Sequence, residues 1–340
     1  MKTGLKILLT ILAAIAVLVL SIGVGSVYVP PDQVVSILLS KLPGGTLPDS
    51  IDPNLVSIVW GMRFPRAILA FLAGGALAVS GTVMQSILKN PLASSYTLGV
   101  SSGASLGAAM VMVSGLTIPF LGIFTLPVAG FIGGLATVFL AMAFAARIDR
   151  KMENQTVILV GMVFSLFVNA VLTLVTALSR EHLQQMVFWQ MGGFSGRDWS
   201  HVAALFPVTA IGIFVLMLYT HEMDIMSFGE DQAQAIGVDI KKTKIILIGI
   251  SALLTGTTVS FVGVIGFVDL IAPHVVRRIF GASHRYVLPL SAVFGGTFMA
   301  LAELVSRTVL APTIIPVGAV TALVGAPFFA VVFFRGRKTA

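Results

Sequence analysis

The residues whose type and spacing could support chemistry are few and widely separated. Asp269 and His274 stand five apart in an apolar stretch, where an ionisable pair suits either a proton relay or a local polar contact that holds a broken helix. Glu303 and Arg307 have the i, i+4 spacing of an intrahelical ion pair. Arg63 and Arg66 flank Pro65 just ahead of a long apolar run. With Pro65 in a first helical turn, both cations would oppose the helix macrodipole, so something acidic should face them: lipid head groups, an internal carboxylate or carboxylates on a docking protein. The most polar internal segment is Gly229 to Lys244, GEDQAQAIGVDIKKTK. Glu230 and Asp231 open it, Ala233 and Ala235 lead to Gly237, and Lys241, Lys242 and Lys244 close it. Acids at the start and a glycine at the end suit a short helix, which would serve as a handle for a soluble partner or as a solvated loop.

Catalytic patterns are missing from the sequence. It has no G-x-x-x-x-G-K-[ST] phosphate loop and no H-E-x-x-H, and His182, His201, His221, His274 and His284 lack metal-ligand spacing. His201 and His221 fall at the ends of apolar runs, as interfacial histidines do. Cysteine is absent, which excludes a disulfide framework and a thiolate site. The expectation is a chain that binds no metal or cofactor and performs no bond chemistry.

The elements that must position these residues are membrane helices. The chain is 57% hydrophobic and 10% charged, with a mean hydropathy of +1.01, which excludes an ordinary soluble domain. The net charge of +7 is spread between apolar runs and gives no nucleic-acid patch. No polar tract is long enough for a second domain, so residues 1–340 form one membrane domain. Lys2 and Lys6 precede the run Ile7–Val29, which is longer than the roughly 7–15 residues of a signal-peptide core and reads as a retained first span. Further runs are Ala67–Leu88, Leu92–Ala146 (two helices, broken near Pro119 and Pro127), Asn154–Ser179, Val202–Thr220, Ile245–Val268, Tyr286–Ala302 and Thr308–Phe334. Phe267–Phe280 is a short and polar tenth candidate. With ten crossings and both termini inside, 15 of the 21 Lys and Arg residues lie on the inner side, the bias expected of cytoplasmic segments. Nine crossings would place the Arg335, Arg337 and Lys338 cluster outside.

The chain also repeats itself. At an offset of 182, Ala70, Leu72, Gly74, Gly81, Leu88, Pro91 and Gly99 match Ala252, Leu254, Gly256, Gly263, Leu270, Pro273 and Gly281. At an offset of 162, Pro127, Gly133 and Gly134 match Pro289, Gly295 and Gly296. The matched helices run in opposite directions, which predicts an inverted repeat of helices 2–5 and 7–10. The outer segment His182–Trp199 carries Trp189 and Trp199 at interface depth and a Gly192-Gly193 pair, which suits either an aromatic anchor or a re-entrant helix broken at the glycines.

Several stretches together resemble a known family: residues 63–105 (RFPRAILAFLAGGALAVSGTVMQSILKNPLASSYTLGVSSGAS), 189–194 (WQMGGF), 229–238 (GEDQAQAIGV), 263–277 (GVIGFVDLIAPHVVR) and 316–329 (PVGAVTALVGAPFF). They are similar to the membrane permeases of ABC importers for ferric siderophores, haem and cobalamin, over nearly the whole chain. The resemblance implies an all-α permease of ten transmembrane helices in a bacterial or archaeal cytoplasmic membrane. It also implies a second permease subunit (an identical chain first, a paralogue otherwise), two cytoplasmic ATPases that bind ATP and Mg, and an extracytoplasmic binding protein that delivers the chelate. It assigns coupling to the ATPase to Gly229, Glu230, Asp231, Gln232, Ala233, Ile236, Gly237 and Val238, docking of the binding protein to Arg63, Arg66 and Arg307, and an inner gate to Asn154 and Gln155. A ferric siderophore is the expected cargo, with haem or cobalamin as the alternatives within the family. A proton-driven secondary transporter is the alternative of another class.

Overall fold

The computed structural model describes residues 3–25, 27–48 and 51–336, with side chains through residue 331. All regular elements among them are helices. In chain order these are α1 (Thr3–Gly23), α2 (Pro31–Ser40) and α3 (Pro53–Val56), which runs through a π-helical turn at Ser57–Arg63 into α4 (Phe64–Ile87). A 3-10 turn at Ser95–Leu98 leads to α5 (Val100–Ser114), α6 (Thr125–Ile148), α7 (Asn154–Leu178) and α8 (Leu183–Met191). Then come α9 (Trp199–Leu218), α10 (Thr220–Phe228), α11 (Glu230–Ala235), α12 (Ile240–Val262), α13 (Val268–Phe280), α14 (His284–Thr308) and α15 (Val317–Gly336).

Seven helical runs are long and apolar enough to cross a bilayer: Thr3–Gly23, Pro53–Ile87, Gly122–Ile148, Asn154–Leu178, Trp199–Leu218, Ile240–Val262 and His284–Thr308. α5 and the Val317–Val331 part of α15 are shorter apolar helices. α13 has 13 residues, about 20 Å at 1.5 Å per residue, against a hydrocarbon core of about 30 Å. The expected tenth element is thus a helix, though too short to span alone. The expected division of Leu92–Ala146 holds, with the break at Gly115 (φ +63°) and Pro127 inside the first turn of α6.

The start of the second span differs from the sequence reading. Pro65 does occupy the first turn of α4, but the helix does not begin there, because the helical run from Pro53 to Ile87 is 35 residues long. Proline cannot donate to the carbonyl one turn back and its ring crowds that carbonyl. The wider π turn just before it, where Phe64 N–H reaches Val59 O, lets the helix continue into proline. Arg63 and Arg66 therefore sit inside a helix and not at its exposed start.

α4 forms the axis of the bundle and packs antiparallel along α14, Arg66 meeting Glu303 at one end and Gly74 and Gly75 meeting Gly295 and Ala292 farther along. At their crossing a Cβ on Gly74 would lie 2.2 Å from Gly295 O, so only glycine permits this approach. α4 also contacts α12, which in turn packs along α6. One end of α4 carries Arg63 and Arg66. The other end, at Ile87 and Leu88, joins an apolar cluster with Met152, Val157, Met223, Ala233 and Leu247. α13 is pinned beside α4 by Arg277, which donates to Gln85 Oε1 (2.6 Å) and Thr82 O (3.2 Å), and by Gln85 Nε2, which donates to Asp269 O (3.1 Å).

Candidate functional site

At one end of the bundle the 229–244 segment folds as a helical knob. Gly229 (φ +148°) breaks the chain away from α10, and α11 follows with Glu230 and Asp231 in its first turn. The helix closes with paired terminal bonds, Val238 N–H to Ala233 O and Gly237 N–H to Gln234 O, both 3.0 Å. That closure needs the left-handed φ of +95° at Gly237. The expected short helix ending at this glycine is thus present. Asp239 then caps α12 by accepting from Lys242 N (3.0 Å), so the three lysines belong to α12.

The knob has two sides. Asp231, Gln232, Gln234 and Gly237 are exposed, and with them Ile236 is 67% and Phe228 78% exposed. Ala233 is fully buried in the cluster with Met152 and Leu247. Lys244 was not singled out by its spacing, yet it is wholly buried. Its ammonium donates to Glu230 Oε2 (2.8 Å) and to Met152 O (2.9 Å). Asp224 and His284, also missed, join the knob end to α14. His284 donates its backbone N–H (2.9 Å) to Asp224 Oδ1, and its ring Nδ1 lies 2.6 Å from the same oxygen. Partial burial works against the Asp224 charge, but these bonds and the Ser283 hydroxyl outweigh it and hold the carboxyl below its usual range.

The loop beneath the knob leads to the predicted gate. Asp149 accepts from Glu153 N (2.6 Å) and Lys151 N (2.9 Å), which holds its carboxyl below the usual range. Met152 takes a left-handed φ of +54° and is fully buried. α7 begins immediately afterwards with Asn154 and Gln155. Asn154 Oδ1 is buried and has no partner among the described residues.

The opposite end holds Arg63, Arg66 and Arg307 around one carboxylate. Glu303 is 1% exposed. It pairs with Arg66 and with Arg307 Nε (3.1 Å). Arg63 donates to Gly23 O (2.9 Å), Ile22 O (3.2 Å) and Val27 O. Arg307 donates to Val24 O (2.6 Å) and Ser21 O. These two arginines satisfy the orphan carbonyls at the carboxyl end of α1 and in the turn after it, favourable positions for cations. Gly25 lies between them: a Cβ there would sit 2.4 Å from Arg63 Nη2 and 3.0 Å from Arg307 Nη1. Arg66 Nη2 is buried without a hydrogen-bond partner among the described residues. The acidic group expected to face the arginines is thus internal: one carboxylate pairs with Arg66 and Arg307, while Arg63 is met by backbone carbonyls.

The remaining candidates separate. Asp269 is buried and accepts from the Ser94 hydroxyl, whereas the His274 ring lies against Phe328. No hydrogen bond joins Asp269 to His274 among the described residues. His201 stands in the first turn of α9 and is buried: its Nδ1 lies 2.7 Å from Asp198 in a capping box, and its Nε2 lies 3.2 Å from Arg197. α8 stops at Gly192 (φ +69°), and Gly193 N–H bonds Val262 O (2.8 Å), so the chain breaks at the glycine pair. Lys2, Arg337 and Lys338, counted among the inner basic residues, lie outside the described residues, as does the Arg335 side chain.

Comparisons with known proteins agree with this architecture. Residues 11–335 match the model of the FecCD transport family. An uncharacterized ABC transporter permease protein, YvrB of Bacillus subtilis, is 40% identical over 94% of this chain and 91% of its own. The cobalamin import system permease protein BtuC of Halobacterium salinarum is 37% identical, over 82% of this chain and 73% of its own. Other relatives are named for import of Fe(3+)-citrate, hemin and molybdate. A solved structure, described as an inward-facing conformation of a "metal-chelate type ABC transporter", superposes with a TM-score of 0.82 at 29% identity, covering 97% of this chain and 99% of that one. The chain belongs to the FecCD transport family of ABC importer permeases.

Proposed function

We propose that this chain is the permease subunit of an importer for a metal chelate of the ferric-siderophore type, driven by a separate ATPase. The observation that carries the reading is the knob: a short helix anchored by Ala233 and Lys244 exposes Asp231 and Gln232, flanked by the exposed Phe228 at the end of α10 and Ile236 just after the helix. An apolar side chain as exposed as Ile236 on a polar, ordered helix suits a cleft on a partner. Gly229, Asp231, Gln232, Ile236 and Gly237 would meet the ATPase, while Glu230, Ala233 and Val238 pass the contact inward. With ten crossings, the count that the charge bias favours, the knob and both termini would face the cytoplasm. The packing of α4 on α14 and of α12 on α6 supports the inverted repeat, since the 182 and 162 offsets exchange these two pairs.

The arginine end is then extracytoplasmic. Carboxylates of a binding protein would compete with the backbone carbonyls for Arg63 and Arg307 and with Glu303 for Arg66, whose unpartnered Nη2 would be the first donor. Asn169 and Thr173 are exposed midway along α7, a costly placement against lipid, which supports a second permease subunit or the transport path on this face. Cobalamin is the second cargo reading, supported by the BtuC relatives. Affinity purification from the native membrane tests the proposal. Co-purification of a phosphate-loop ATPase is expected. A chain that transports alone on a proton gradient would overturn it.

A further inference from the structure

The knob is joined to the rest of the molecule by two links, one apolar and one ionic. Ala233 in the apolar cluster is a generic anchor. The ionic link is more specific, because it ties the consecutive helices α11, through Glu230, and α12, through Lys244, to the distant α6–α7 loop through the Met152 carbonyl. A buried ammonium is retained only where its charge and donors are met, and here a carboxylate and a carbonyl meet them. The Met152 carbonyl is presented by a loop with little freedom. Met152 itself is fully buried with φ +54°, and Asp149 fixes the loop from both sides through the N–H groups of Lys151 and Glu153. Two residues beyond Met152 α7 begins, and Asn154 carries a buried side-chain oxygen with no partner among the described residues. A buried oxygen without a partner marks the α7 start as a place where polar contacts are not closed within the described residues.

We infer that Glu230, Lys244 and the Met152 carbonyl form a strut that carries movement of the docked knob to the first turn of α7, so that Lys244 positions the gate at Asn154 and Gln155. The inference rests on the importer reading. When the ATPase shifts α11, Glu230 moves with it. Lys244 follows its counter-ion and draws the Met152 carbonyl, and with it the start of α7. The apolar contact at Ala233 holds the knob in place without this directional pull, because dispersion contacts allow sliding.

The test uses the intact importer, with its ATPase and binding protein, reconstituted in vesicles and supplied with ferric chelate. The wild type must first show ATP-dependent uptake; if it does not, the importer reading fails and the strut falls with it as a separate result. In Lys244→Met the strut is cut while the side chain keeps most of its length and fills the apolar part of the site. The complex should hold its ATPase at the wild-type ratio and hydrolyse ATP. Uptake per ATP should fall on the order of tenfold, within the range of coupling between sites. The exchange variant Glu230→Lys/Lys244→Glu restores an ion pair but places a carboxylate against the Met152 carbonyl, so it should not recover uptake. Glu230→Gln keeps the carbonyl bond and should lie between. Wild-type uptake per ATP in Lys244→Met would overturn the strut. So would full rescue by the exchange variant, or loss of the ATPase from Lys244→Met, which would make Lys244 a residue that only shapes the knob.

Discussion

The two ends of the bundle solve the burial of charge in opposite ways. At the knob end one ammonium meets one carboxylate and one carbonyl, and the charges balance. At the arginine end three guanidiniums share one carboxylate that pairs with only two of them, and the excess is met by the carbonyls of Ser21, Ile22, Gly23, Val24 and Val27. A balanced pair is a closed joint with little to gain from another ion. A cluster with surplus cations and an unpartnered guanidinium nitrogen attracts any carboxylate that reaches it. In the proposed orientation this matches the two tasks, a mechanical joint facing the ATPase and an acceptor facing the binding protein.

The sharpest way to break the comparison is to remove the single carboxylate of the arginine end. Glu303→Gln leaves Arg66 and Arg307 buried without a counter-ion and should destabilise the chain by about 3–5 kcal/mol, the cost of breaking a buried pair. Thermal unfolding in detergent measures it. Lys244→Met should be milder, about 1–3 kcal/mol, since it leaves one carbonyl unsatisfied while Glu230, partly exposed, turns to water. The same assay ranks the two, and the reverse order would show that the knob end bears the greater electrostatic load. Gly25→Ala forces a methyl group between Arg63 and Arg307 and should cost about 1–3 kcal/mol through overpacking. Its effect should shrink when Arg63 is shortened to Lys.

The smallest effect concerns pH. Asp149 is held below its usual range by the N–H groups of Glu153 and Lys151. A carboxyl depressed in the folded state contributes stability above its unfolded value, near 3.9, and loses it as pH falls through the lower folded value. Exchange protection of the Lys151 and Glu153 amides should therefore be independent of this carboxyl from pH 8 to about 5, and should weaken only below about 4.

Much of the architecture could be read from composition and periodicity. The apolar runs locate the long helices, and Glu230 to Gly237 locates a helix with its glycine stop, because local rules set both. The strut could not be read, since Lys244 shares its segment with two exposed lysines and only tertiary packing decides which one turns inward. The arginine end was half legible. Two cations opposed to a helix dipole require an acid near Arg63 and Arg66, but Glu303 lies far along the chain, and nothing in the sequence upstream of Pro65 marks the π turn. Asp269 and His274 share a stretch without sharing partners, because their neighbours come from the Ser94 turn and α15.

The most direct measurement is a paired binding experiment on the purified complex. Affinity for the ATPase and for the binding protein is titrated with Ile236→Glu at the knob and with Arg66→Gln at the arginine end. The account predicts separation: Ile236→Glu weakens the ATPase and spares the binding protein, while Arg66→Gln weakens the binding protein, lowers its salt dependence and spares the ATPase. Loss of both partners in either variant, or of neither, would contradict it.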